Sequence, residues 1–92
     1  MKQYVKLMAD YSSSGLWDIN GVMMDSTSLP ISETLRSAID AWCGDYEDSQ
    51  FFLAPPDRDV VFDRITFNQA GAMLAERIQN ELPLWTVVHR PE

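Results

Sequence analysis

One cysteine, one histidine, four glycines and seven basic residues are what this 92-residue chain has least of, and most of these shortages exclude something. With Cys43 alone, neither an internal disulfide nor a cysteine-cluster zinc site can form. A secreted chain this small is usually cross-linked, so a reducing cytoplasm is the expected location. No apolar run approaches the roughly 20 residues that cross a bilayer as a helix. The start, Met1-Lys2-Gln3-Tyr4-Val5-Lys6, lacks a continuous apolar stretch behind its basic residue, so no secretory signal is read there. Fourteen acids outnumber the seven bases and leave a net charge of −7. Such a surface is repelled by nucleic acid and by anionic lipid, which argues against direct binding to either.

What is present suits a compact core. The chain is 46% hydrophobic, with three Trp, three Tyr and four Phe, well above what a disordered chain carries. Its length predicts one domain over residues 1–92. About 60–65% of the unfolded surface would be buried on folding, so the core is modest.

Tyr4 to Asp10 alternates as a strand does, with Val5, Leu7 and Ala9 inward and Tyr4, Lys6 and Met8 outward. Tyr11-Ser12-Ser13-Ser14-Gly15 has the composition of a loop. Leu16-Trp17-Asp18-Ile19 and Val22-Met23-Met24-Asp25 flank Asn20-Gly21, the dipeptide of a type I′ hairpin turn. Ser32 is placed to cap a helix running to about Asp48, with Leu35, Ile39, Trp42, Cys43 and Tyr46 on one stripe and Ala38 beside them. Gln50 to Asp59, containing Pro55-Pro56, reads as an extended loop, followed by a short edge strand at Val60-Val61-Phe62.

Thr66 and Gln69 have the spacing of a capping box for a second helix, whose buried face is Phe67, Ala70, Leu74, Ile78 and Leu82. Gly71 beside that face costs about 1 kcal/mol of helix propensity, which implies close approach to a sheet. Pro83 ends the helix. Leu84 to His89 is a strand with apolar residues on both faces, as an inner strand requires. The first and last strands are expected to pair at the sheet centre, with both helices on one face. That is an α+β fold, a small two-layer sandwich.

Little in the sequence supports catalysis. His89 lies near the C-terminus with no orienting carboxylate implied by spacing, so a surface histidine at a strand end is expected. Ser12, Ser13 and Ser14 before Gly15 match neither a Gly-x-Ser-x-Gly elbow nor a phosphate-cradling loop. Asp45, Glu47, Asp48, Asp57 and Asp59 lack the alternating ligands, central glycine and closing glutamate of a calcium loop. Cys43 sits on or near an apolar stripe without positive charge beside it, which fits a structural thiol. No catalytic, cofactor-binding or metal-ligating residue is assigned.

Binding is better supported. Between Asp40 and Asp63 stand seven acids (Asp40, Asp45, Glu47, Asp48, Asp57, Asp59, Asp63) against Arg58, a local charge of −6 within a total of −7. Trp42, Tyr46, Phe51, Phe52 and Phe62 are interleaved with them. A charge run is ordinarily a solvated face. This one straddles a helix end and a long loop, where function concentrates, and its rings are the usual anchors of interfaces. Asp45, Glu47 and Asp48 also oppose the dipole of the first helix, so stability does not account for them. Trp42 and Trp85 read as core. Trp17, in the hairpin region, is a candidate anchor.

Several motifs occur together: Lys6-Leu7-Met8-Ala9-Asp10-Tyr11, Gly15-Leu16-Trp17-Asp18, Leu29-Pro30-Ile31-Ser32, the Trp42 and Tyr46 pair, and Phe67-Asn68 with Gly71 and Leu74. In this combination the chain resembles small acidic immunity proteins of bacterial contact-dependent growth inhibition and related polymorphic toxin systems. The similarity covers most of the chain and is weakest over residues 50–63. It implies a non-enzymatic cytoplasmic protein that binds one cognate toxin domain and blocks it. Many such toxins are nucleases, acting on tRNA, other RNA or DNA, and need basic clefts. The charge argument then nominates Asp45, Glu47, Asp48, Asp57, Asp59 and Asp63 as partner-facing acids, with Tyr46, Phe51 and Trp17 as anchors. The alternative is an acidic adaptor or self-associating protein that binds a basic protein outside any toxin system.

Overall fold

The computed structural model describes residues 3–10, 13–47 and 63–92. In chain order it contains β1 (Tyr4–Leu7), β2 (Leu16–Trp17), a 3-10 turn (Ser26–Ser28), α1 (Glu33–Glu47), α2 (Arg64–Glu81) and β3 (Thr86–His89). The loop expected at 50–59, the strand at Val60–Phe62 and residues 11–12 lie outside the described residues.

β1 is the middle strand of the order β2-β1-β3, antiparallel to β2 and parallel to β3. The N- and C-terminal strands therefore pair as expected, with Val5 opposite Val87 and Leu7 opposite His89. Two details differ. Both strands are shorter than their alternating patterns, and among the described residues β3 has a strand neighbour on one side only. Its apolar character is explained by α2, which lies against it, with Val87 and His89 half-buried and Thr86 and Val88 exposed.

The core comprises Val5, Leu7 and Ala9, then Leu16, Leu29 and Ile31, and the inner stripes of both helices. Leu35, Ile39, Trp42 and Cys43 are the buried positions of α1, and Phe67, Gly71, Leu74 and Ile78 those of α2. Each large aliphatic side chain buried here contributes about 1.5–3 kcal/mol relative to exposure. Both helices meet the face of the sheet that carries Val5, Leu7 and His89. The Cβ position of Gly15, next to β2, points at Cys43 and Ile39 of α1, while Gly71 of α2 lies against His89. The result is the expected small α+β arrangement.

Local sequence explains the ends. Ser32 caps α1 as expected, its hydroxyl accepting from the Leu35 N–H at 3.2 Å. α2 starts earlier than the Thr66–Gln69 spacing predicts. Asp63, and not Thr66, is the N-cap: its carboxylate accepts from the Thr66 N–H at 3.0 Å and from the Thr66 hydroxyl at 2.7 Å. An aspartate at this position is as good a cap as any residue, and it adds a charge that suits the helix N-terminus. The hairpin is present, with Trp17 bridged to Met23, but its turn is not type I′. The Gly21 N–H donates to the Asp18 carbonyl and the Asp18 N–H to the Val22 carbonyl, and Gly21 has a positive φ of +78°. That is the three-residue loop ending in a left-handed glycine. Asp18 selects it, because its carboxylate accepts from the Asn20 and Val22 N–H groups at 2.8 and 2.9 Å.

Arg36 holds the segment ahead of α1. Its guanidinium donates to the carbonyls of Ser26, Leu29 and Ile31 at 2.9–3.2 Å and pairs with Glu33.

Candidate functional site

α1 exposes its acids on two separate flanks. Around the helix, at about 100° per residue, Glu47 lies roughly 200° beyond Asp45. Asp40 and Glu47 fall on the side of Cys43, and their charges, after burial, help push its thiol pKa up to about 12. Asp45 is on the other flank, at the rim of a groove between α1 and α2. The sequence expectation of a single acidic face is thus divided, on the described part of the chain, by the curvature of one helix.

The groove has a volume of about 380 Å³. Ala38 and Ala70, together with Leu74 and the edge of Trp42, form its floor. Ala41 and Asp45 stand on the α1 side, Met73 and Arg77 on the α2 side. Small side chains at Ala38, Ala41 and Ala70 create it, since larger ones would fill the valley between the helices. Below it the helices are locked together: the Trp42 and Phe67 rings stack with centroids 4.5 Å apart, and the Trp42 indole N–H donates to the Phe67 carbonyl at 3.0 Å.

Five of the described acids already have structural work. Asp18 and Asp63 satisfy turn and helix-cap N–H groups, and Asp25 accepts from Thr27. Glu33 pairs with Arg36, and Glu81 accepts from both the N–H and the hydroxyl of Ser32. These hydrogen bonds hold the Asp25, Asp63 and Glu81 carboxyls below their ordinary range. Asp40 and Asp45 are different: neither makes a hydrogen bond or ion pair among the described residues. α1 also has no basic residue in its last turn to balance them.

The nominated anchors are only partly available. Trp17 is half-buried, and its indole N–H donates to the Met8 carbonyl at 2.8 Å. Tyr46 is half-buried, its ring 5.9 Å from that of Phe67. Asp63 is exposed but occupied as the α2 cap. Asp48, Phe51, Asp57 and Asp59 lie outside the described residues. Sequence reasoning overlooked the groove, whose signal is the alanine spacing at positions 38, 41 and 70.

Among the described residues no carboxylate or nucleophile is hydrogen-bonded to the one histidine. His89 is half-buried against Gly71 and Trp42, and its pKa is lowered by burial. Among the described residues no group of three or more His, Cys, Asp or Glu is placed to hold a metal ion, and no helix is long and apolar enough to cross a membrane.

Residues 3–92 match the Serratia CdiI immunity protein-like family. The chain belongs to that family. Comparison with curated proteins finds no match. Membership supports an immunity role and implies a toxin protein as partner.

Proposed function

We propose that this chain is a non-enzymatic, cytoplasmic immunity protein that binds a cognate toxin domain and neutralises it through an acidic surface. The match to an immunity family across residues 3–92 carries this reading. The charge distribution supports it further: a net −7, and the carboxylates of Asp40 and Asp45 with no ion pair among the described residues, suit a toxin whose cleft is basic. A nuclease is such a toxin, whether it cuts tRNA, other RNA or DNA, because its cleft must hold phosphate. Asp45 and Glu47 on α1, Asp48, Asp57 and Asp59 beyond it and Asp63 at the head of α2 would steer the toxin. Tyr46, Phe51 and Trp17 would supply contact area that salt does not screen.

Co-expression with the product of the adjacent gene tests this. That product should arrest growth alone and be harmless alongside this chain, with nucleic acid left intact. Arrest that persists despite co-expression and full solubility of both proteins would contradict it.

A further inference from the structure

We infer that the outer edge of β3 pairs with the same edge of a second copy of this chain, antiparallel about a twofold axis at Val88, joining two three-stranded sheets into one. Thr86 and Arg90 donate their N–H groups to the Gln3 and Leu7 carbonyls on the β1 side. Alternate residues of a strand face opposite neighbours, so Val87 and His89 turn their N–H and C=O groups the other way. Among the described residues those groups have no hydrogen-bond partner. The edge is bounded at both ends. The Trp85 N–H donates to the Leu82 carbonyl, the Trp85 carbonyl accepts from the Gln79 amide at 2.8 Å, and Pro91 has no N–H to offer. Only one symmetric register then uses both open residues of each copy. Val87 of one copy stands opposite His89 of the other, exchanging both hydrogen bonds, and Val88 faces Val88.

Side chains and charge favour a second copy over a basic toxin at this edge. Val88 is 38% exposed on the sheet face away from α2, and in this register the two valines cover each other. No acid occurs from Leu82 to Pro91, and Arg90 is the only formal charge there. A basic toxin gains no attraction from such a strand. About the twofold, Arg90 stands opposite Thr86 and meets no like charge. β3 also becomes the inner strand that apolar residues on both its faces suggest. α2 lies against β3 while α1 lies toward β2, so the α1 carboxylates stay clear of the axis. The closed pairing leaves no β3 edge for a third copy. Each copy carries −7, so repulsion opposes the dimer and salt should strengthen it, the reverse of steered toxin binding.

Sedimentation velocity of the chain alone, over a wide range of concentration at low and high salt, tests this, with thermal unfolding confirming that each variant is folded. The dimer fraction should grow with both concentration and salt. Val88→Lys sets like charges face to face across the axis and should weaken dimerisation by about tenfold or more, while Val22→Lys on the exposed hairpin leaves it unchanged. Val88→Cys should oxidise to a cross-linked dimer faster than Val22→Cys, because directly opposed residues lie within disulfide reach and Cys43 is buried. Monomer mass under every condition overturns the proposal, as does a V88K variant that dimerises as well as the unaltered chain. Equal cross-linking of V88C and V22C overturns it too. A monomeric chain whose V88K variant alone loses the adjacent gene product would assign the edge to the toxin, and would equally overturn the pairing of copies.

Discussion

Glu81, in the last turn of α2, accepts hydrogen bonds from the backbone N–H and the hydroxyl of Ser32, 49 residues earlier, at 2.6 and 2.7 Å. Ser32 in turn caps α1 through the Leu35 N–H. The end of one helix is thereby fastened to the beginning of the other. Glu81→Ala should lower the melting temperature and loosen the α1 N-terminus. Ser32→Ala should do both and additionally lose the cap, worth about 1 kcal/mol. Amide exchange at Leu35 and Arg36 reports the difference.

Acid should weaken the same link. The folded pKa of Glu81 is below its ordinary 4.5 because Ser32 donates to the charged form. Its contribution is therefore complete above the unfolded pKa and disappears as pH falls through the lowered folded pKa. Asp25 and Asp63, lowered from 3.8 by their Thr27 and Thr66 partners, follow the same sign further down. Unfolding midpoints should be insensitive to these groups above about pH 5 and decline below it. The Glu81→Gln variant should show a shallower decline.

Gly71 is a position where a methyl group cannot be added freely. Its Cβ would come within 2.6 Å of His89 Nε2 and 2.7 Å of Trp42 Cζ2, both atoms of packed rings. Gly71→Ala gains about 1 kcal/mol of helix propensity but incurs about 1–3 kcal/mol of overpacking. The expected outcome in denaturant unfolding is a lower midpoint, against the usual gain for this substitution in a helix.

His89 should make stability depend on pH near neutrality. Burial lowers its folded pKa, so the neutral ring is favoured in the fold. Its contribution is fully present above the ordinary value of 6.5, and it is lost as pH falls from there to the folded pKa. Between about pH 7.5 and pH 5.5 the unaltered chain should lose melting temperature, and His89→Leu should lose less.

Cys43 should be unreactive. Burial, with Asp40 and Glu47 beside it, raises its thiol pKa to about 12, so almost no thiolate exists near pH 8. A disulfide reagent should label it slowly in the folded protein and at once in denaturant. Fast labelling of the folded chain would contradict its placement under Gly15.

Much of this architecture is visible in the sequence because it is local. The Ser32 cap, both helical stripes, the two terminal strands and the need for a small residue at Gly71 follow from periodicity and residue chemistry over a few positions, while the pairing of those strands is inferred from their apolar character. The start of α2 is harder: Arg64 and Ile65 are exposed, so apolar periodicity begins only at Phe67, and Thr66 competes with Asp63 as a cap. Long-range contacts leave no trace in a local pattern. The Glu81–Ser32 link and the Arg36 carbonyl contacts connect segments whose proximity the fold creates. The division of the acids between two flanks of α1, by contrast, follows from helical spacing alone, and counting charge along the chain conceals it. The groove beside Asp45 exists only once α2 supplies its second wall.

The central claim, that carboxylates of this chain face a basic toxin, is tested most directly by the association rate constant with the adjacent gene product as ionic strength is raised. Steered association should be about 10–1,000-fold faster at low salt and fall steeply as screening increases, with the dissociation rate changing little. An association rate that stays flat or rises with salt would contradict the account.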